Sequence, residues 1–385
     1  LNNLVSDVWA YTLKEQPVYA SALGVNDYAN ELGDYTLAAQ DRRATEALQF
    51  LIRLDAIPAA SLDAPTKVEA GILRRSLNSA IEGNRFGQRA INFTTYSSWH
   101  QQLAGMAQNL PFRTKADFES YNARLAQYAR VNDENIAVAN VAIKGKYTQP
   151  CVTLKGFEGT ISGLITTDVN RSRFYEPYAT KRPAGVSEAD FASLAKAAET
   201  TIRTVIHPAL NTQLAWYTAS YKPACATAPG VSAQPGGDKY YAFRVREETT
   251  TSLTAEQIHQ IGLNEVARIR AEMVEVASKA GYPSREAFIQ HLRTDPQYYA
   301  KTPEELMEKV ARVTKIIDGK MPSLFGRLPR LPYGIKEIPA ETAEGTTTAY
   351  YNQGSPEIGI SGTYFVNTSK LSQRPFWEIP ALSVH

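Results

Sequence analysis

The stretch Ser361-Gly362-Thr363-Tyr364-Phe365-Val366-Asn367 and the segment Arg374-Pro375-Phe376-Trp377-Glu378-Ile379-Pro380-Ala381-Leu382-Ser383-Val384-His385 behind it decide how the chain is read. The first predicts a strand. Its β-branched and aromatic residues sit between a glycine and an Asn-Thr turn signal, with Tyr364 and Val366 on one face and Phe365 on the other. The second predicts a helix from Pro375, a residue tolerated in a first turn, with Phe376, Ile379, Leu382 and Ser383 recurring at helical spacing. Its apolar face runs to His385 without a Gly or Asn cap or a closing basic turn, so the chain is expected to be the front part of a longer one.

Outward from this stretch, composition sets the bounds. A chain of 385 residues exceeds what one core usually serves and predicts two subdomains or one large helical assembly. With 43% hydrophobic and 21% charged residues and no block of like charge, it has the profile of a soluble globular protein. The net charge of +2, with Lys and Arg alternating with Glu and Asp, gives no electrostatic support for nucleic acid or an anionic membrane as partner. No apolar run approaches the roughly 20 residues of a spanning helix. The opening Leu1-Asn2-Asn3 lacks the basic and apolar regions of a signal peptide. Cys151 and Cys225 lie in Pro-flanked loops. A structural disulfide in an oxidising compartment is the favoured reading, two unpaired thiols the alternative.

Most of the chain shows helical periodicity. A first helix carries Val5, Val8, Trp9 and Leu13 and is interrupted by Pro17; amphipathic helices follow over 36–55 and 64–84. Thr114 and Asp117 form an approximate capping box for a long helix to Ile143, and Ser187 caps another that His207-Pro208 kinks. The Gly-rich middle has no Gly-Lys-Ser or Gly-Lys-Thr ending and is no phosphate loop. Residues 223–238, broken by Pro223, Pro229-Gly230, Pro235 and Gly236-Gly237, predict the internal boundary, giving subdomains 1–235 and 236–385. Alternation predicts a strand over 239–246. Thr254 then caps a helix whose Ile258, Ile261, Val266, Ile269, Met273 and Val276 are expected to face a core. Short strands over 346–351 and 362–367, with an extended Pro-punctuated edge over 328–339, make a small sheet. His100, beside Trp99, reads as a hydrogen-bonded core or surface residue rather than a catalyst. His259 has Leu263 at i+4 and Ala255 at i−4, which leaves it without a metal-binding partner.

Two blocks carry a family resemblance. One is Gly236-Gly237 with Tyr240-Tyr241, the triplet Thr249-Thr250-Thr251 and Ile258-His259-Gln260-Ile261-Gly262-Leu263. The other is the Gly362–Asn367 run followed by Arg374-Pro375 and a helix ending Leu382-Ser383-Val384-His385. Over residues 9–385 the chain resembles the bacterial domain-of-unknown-function family 885, grouped with the gluzincin zinc metallopeptidases. The resemblance implies a mainly α fold, a multi-helix metallopeptidase-like cradle with a small β-sheet near the C-terminal end, and an exported, periplasmic or lipoprotein-anchored location. It makes His385 the first residue of a zinc-binding helix. The general-base Glu and further ligands of that helix are not in this sequence, so the chain alone is expected to be inactive. A catalytic zinc needs about three protein ligands and an open position where bound water ionises near neutral pH.

With the site complete, the expected function is hydrolysis of peptides by zinc-activated water. The alternative is a non-catalytic exported peptide-binding protein or lipoprotein that keeps the cradle. Gly362, Tyr364, Tyr350 and Asn367 are the substrate-binding candidates, the tyrosines as donors to a peptide carbonyl or developing oxyanion. Ordinary strand packing is the competing reading for them. Glu378, two helical turns before His385, is expected to orient the metal ligand, or else to pair with Arg374. The sequence does not specify an oligomeric state.

Overall fold

Pro17 ends one helix and starts the next: α1 (Asn2–Glu15) stops before it and α2 (Pro17–Ala22) takes it at its first position, where a missing N–H costs nothing. The computed structural model describes residues 1–339, 343–344, 346–356 and 359–385. Its contacts divide the chain into two units, Leu1–Ala255 and Glu256–His385.

In the first unit, Thr36 and Asp63 accept backbone N–H groups at the starts of α3 (Leu37–Asp55) and α4 (Ala64–Gly83). These helices bury Phe50, Leu54 and Leu77 together with Leu4 of α1. After α5 (Trp99–Gly105), the Thr114–Asp117 capping box opens α6 (Lys115–Ala126). The single long helix expected to Ile143 is two, because the chain breaks at Gln127 before α7 (Tyr128–Gly145). Gln127 accepts from the Leu32 amide and donates to the Asn30 carbonyl, tying the break to the loop before α3. Beyond α8 (Phe157–Ser162) and α9 (Glu176–Ala179), Ser187 caps α10 (Glu188–Thr201). The irregularity foreseen at His207-Pro208 is a π-helical turn over Ile202–Ile206, which leads into α11 (His207–Trp216).

Residues 239–246 are not a strand but the body of α12 (Gly237–Thr249). Their alternation fits either period. What decides is that Tyr240 and Phe243, three apart, meet the Phe86 ring at 5.4 and 5.3 Å between centroids. The division of the chain also falls later than the Pro/Gly-rich 223–238 segment. Gln88 donates to the Pro235 carbonyl and Gln234 to that of Thr148, and Arg246 pairs with Glu82 at 2.6 Å, so α12 belongs with the first unit.

The core of this unit is aromatic. Phe93, Trp99, Phe157, Tyr217 and Tyr221 pack together, all nearly inaccessible. Cys151 and Cys225 form a disulfide beside a bridge between Pro150 and Ala226. Arg124 is buried and, among the described residues, forms no ion pair within 4 Å. It donates instead to the carbonyls of Glu31, Pro17 and Tyr28 and to Ser21 Oγ, and burial lowers its pKa to about 10, still charged at neutral pH.

The second unit contains α13 (Ala255–Lys279), α14 (Arg285–Thr294), α15 (Pro303–Leu324, capped by Thr302), three strands and α16 (Ile379–Val384). Strands β1 (Tyr333–Glu337), β2 (Ala349–Asn352) and β3 (Gly362–Val366) make a sheet of order β1-β3-β2, parallel on one side of β3 and antiparallel on the other. Leu306 and Val310 of α15 pack against Tyr364 and Val366 of β3 and Ile379 of α16. The expected core face of α13 is not buried: Ile261, Val266 and Val276 are about half exposed, and Ala277 is its buried residue. Periodicity reports an apolar stripe, not its covering, and α13 is laced instead by pairs such as Arg268–Glu272 and Lys279–Glu275. The terminal helix is also shorter than expected. Pro375 bridges to Tyr299 and the Phe376 amide donates to Tyr298 at 2.7 Å, residues 376–378 form a turn, and helix begins only at Ile379.

Two outcomes follow for stability. Replacing both Cys151 and Cys225 by Ser should destabilise the chain by about 4 kcal/mol in denaturant melts, since the bond closes a sequence separation of 74. His100 is fully buried; Gln213 donates to its Nδ1 at 2.8 Å and its Nε2 faces Thr160 Oγ1 at 3.0 Å. Burial lowers its pKa from 6.5 to about 3. The unfolded chain therefore binds the proton first as pH falls, and stability present above pH 6.5 is lost progressively towards pH 3. The loss should be about 2 kcal/mol at pH 5 relative to pH 7.5, and His100→Gln should flatten that dependence.

Candidate functional site

Strand β3 sets the geometry of the site. As the central strand it pairs residue for residue with both neighbours, Tyr364 lying opposite Ile335 of β1 and Tyr351 of β2. Gly362, two residues before Tyr364, shares its face, and the Tyr351 hydroxyl end occupies the space a Cβ at Gly362 would need. Gly354 is needed for a harder reason: a Cβ there would run into the backbone of Ser361 and Gly362.

A cavity of about 700 Å³ opens on this face. Helix α15 supplies Ile317, Asp318 and Met321, and the turn after it Phe325. The sheet supplies Tyr333, Tyr350, Tyr351 and Tyr364, and α16 supplies Leu382, Ser383 and His385. The wall is mostly apolar with a few polar groups, the usual character of a small-molecule or side-chain pocket. Tyr364 is only 9% exposed and its hydroxyl has no hydrogen-bond partner among the described residues; Ser383 Oγ is likewise buried and unpaired among them. A buried, unpaired hydroxyl costs about 1–3 kcal/mol, which a ligand accepting its proton would recover. Tyr333 donates to Asp318 Oδ1 at 2.9 Å. Burial first, and then this carboxylate, raise the Tyr333 pKa.

Three of the residues marked in the sequence thus converge: His385, Tyr364 and Tyr350 line one cavity. Tyr350 contributes less than its position suggests, because its ring stacks on Phe365 at 4.8 Å on the other face of the sheet. Asn367 is engaged elsewhere. It is fully buried, its Nδ2 donates to the carbonyls of Ala343 and Thr347, and its Oδ1 accepts from Ser369, so it holds the turn after β3. Glu378 is exposed and is the N-cap of α16, its backbone helical and its carbonyl accepting from the Leu382 amide, seven residues before His385. Arg374 donates to Thr348 Oγ1 at 2.9 Å.

Asp318, Tyr333, Tyr351 and Ser383 were not marked in advance. Asp318 did carry a signal, a carboxylate at i+4 from buried Thr314 on the inward side of α15. Among the described residues no group of three or more His, Cys, Asp or Glu side chains is placed to hold a metal ion. On the cavity wall His385 and Asp318 are the residues of those types. One imidazole and one carboxylate fall short of the donor set of a catalytic zinc.

The fold and this cavity define a mainly helical two-unit protein with an aromatic pocket beside a small mixed sheet. Residues 17–385 match the family described as "Bacterial protein of unknown function (DUF885)", and the chain belongs to it. Two solved structures share the fold. One is described as a candidate lipoprotein from Colwellia psychrerythraea, with TM-score 0.83 and 20% identity over 97% of this chain and 68% of that one. The other is a candidate lipoprotein of unknown function from Shewanella oneidensis, with TM-score 0.64 and 14% identity over 100% of this chain and 68% of that one. Comparison with curated proteins gives no match.

The two glycines separate by what they touch. Gly362→Ala displaces only the end of the half-exposed Tyr351 ring and should cost less than about 1 kcal/mol. Gly354→Ala presses on backbone and should cost about 2–3 kcal/mol, both read from chemical denaturation.

Proposed function

We propose that the second unit binds an extended peptide, with a large apolar side chain seated in the cavity and a main-chain carbonyl accepting from Tyr364. The observation that carries this reading is the unpaired Tyr364 hydroxyl inside a largely apolar cavity of about 700 Å³. Beside it, β1 and β2 are the two edges of the sheet, and an edge strand can hold a peptide by main-chain hydrogen bonds. We place the protein in the cell envelope. A disulfide is typical of an oxidising compartment, and two structurally similar proteins are described as candidate lipoproteins.

Zinc-dependent hydrolysis is the second reading, favoured by the position of His385 on the same wall as Tyr364. It requires donors beyond the described residues, and no step is derived through the metal.

Tyr364→Phe separates binding from folding. It removes an unpaired buried hydroxyl, so the melting temperature should not fall. Affinity for a neutral Leu/Phe-rich hexapeptide, measured by calorimetry, should drop about 3- to 10-fold. Unchanged affinity removes the assigned role of Tyr364. Metal analysis of protein from its native source tests the second reading: about one bound zinc with chelator-sensitive peptide cleavage supports it, whereas peptide retention indifferent to chelator supports binding alone.

A further inference from the structure

We infer that the cavity selects ligands bearing an organic cation, a primary ammonium attached to an apolar group, and that Asp318 is the residue that determines this specificity. The inference rests on the peptide-binding reading and names its substrate class. The contacts of Asp318 carry it. The Tyr333 hydroxyl holds Oδ1 at 2.9 Å and so fixes the carboxylate at the wall. The other oxygen, Oδ2, lies 3.8 Å from Lys315 Nζ, but that lysine side chain is 84% exposed. Such a pair is weak and screened by solvent, and leaves the carboxylate able to take a ligand cation. Neither lysine nor arginine lines the cavity among the described residues.

The surroundings favour a cation that carries hydrocarbon with it. The aromatic rings of Tyr333, Tyr351 and Tyr364 line the same space, and their negative faces attract an ammonium while excluding small hydrated ions. Met321 and Phe325 give the apolar part of the ligand a surface to cover. The Tyr364 hydroxyl, more than nine-tenths buried and unpaired, adds a donor for a carbonyl next to the ammonium. Carboxylate, aromatic wall and donor together describe one end of a peptide or a lysine side chain. An ammonium from either source makes the same contacts.

Calorimetric titration of the whole chain tests this with four probes: a Leu/Phe-rich hexapeptide with a free N-terminus, its N-acetyl form, an N-acetyl form carrying one internal lysine, and phenethylamine. The free-amino peptide should bind about tenfold more tightly than its acetylated form, and the preference should shrink at high salt. Recovery of affinity by the acetylated lysine peptide assigns the ammonium to a side chain, and no recovery assigns it to the N-terminus. Asp318→Asn keeps an acceptor for Tyr333 and should abolish the preference for the free-amino peptide over its acetylated form. Equal binding of free and acetylated peptides by the unmodified chain overturns the cation inference and leaves the peptide reading standing, whether or not the variant folds. Asp318-dependent binding of phenethylamine without any peptide binding has the opposite meaning: the cation site stands and the peptide reading falls. Binding of none of the probes overturns both.

Discussion

All the ladder pairing of the small sheet passes through β3. Five of its residues are in register with β1 on one side and four of them with β2 on the other. A central strand cannot slip by one residue without turning every side chain to the opposite face, and here one face is buried against α15 and α16. Tyr364 and Val366 therefore stay inward and Phe365 stays on the side where Tyr350 stacks. The cavity exists because this face meets two helices at its edges and small residues, Gly354 and Gly362, let backbone and ring come close.

The first unit solves a different problem. It buries several polar groups in internal hydrogen-bond networks. Arg124 exchanges water for three carbonyls and a serine hydroxyl, and Asn132 accepts from Trp99 while donating to Ala209. His100 is locked as a neutral ring among Ser98, Gln213 and Thr160. Groups so engaged have little left to offer a substrate, which explains why the histidine beside a tryptophan is architecture. Buried atoms without a partner among the described residues occur in both units, the Tyr128 and Tyr217 hydroxyls among them; what sets Tyr364 and Ser383 apart is that they line the cavity.

Several site residues were legible because local pattern carried them. Alternation placed Tyr364 inward on a strand, and the terminal helical spacing brought Leu382 and Ser383 to the same side as His385. The same kind of reasoning did not foresee where Asn367 sits. Asn367 has the residue type of a binding group but sits where a turn needs its amide, whereas Glu378 stands at the exposed N-cap of α16, seven residues before His385. Asp318 and Tyr333 stayed hidden for a simpler reason. They are 15 residues apart, and only the packing of α15 beside β1 makes them a pair.

The sequence by itself determined the helical class, the capping residues Thr114 and Ser187, and the inward face of β3, because caps and periodicity act within a few residues. It could not choose helix over strand for 239–246, where Tyr240 and Phe243 needed Phe86 to break the tie, nor tell that the apolar stripe of α13 is exposed. Those outcomes, with the central place of β3 and the cavity it walls, were decided by tertiary structure. Burial and strand order depend on which distant segments meet, and period alone cannot specify the partner.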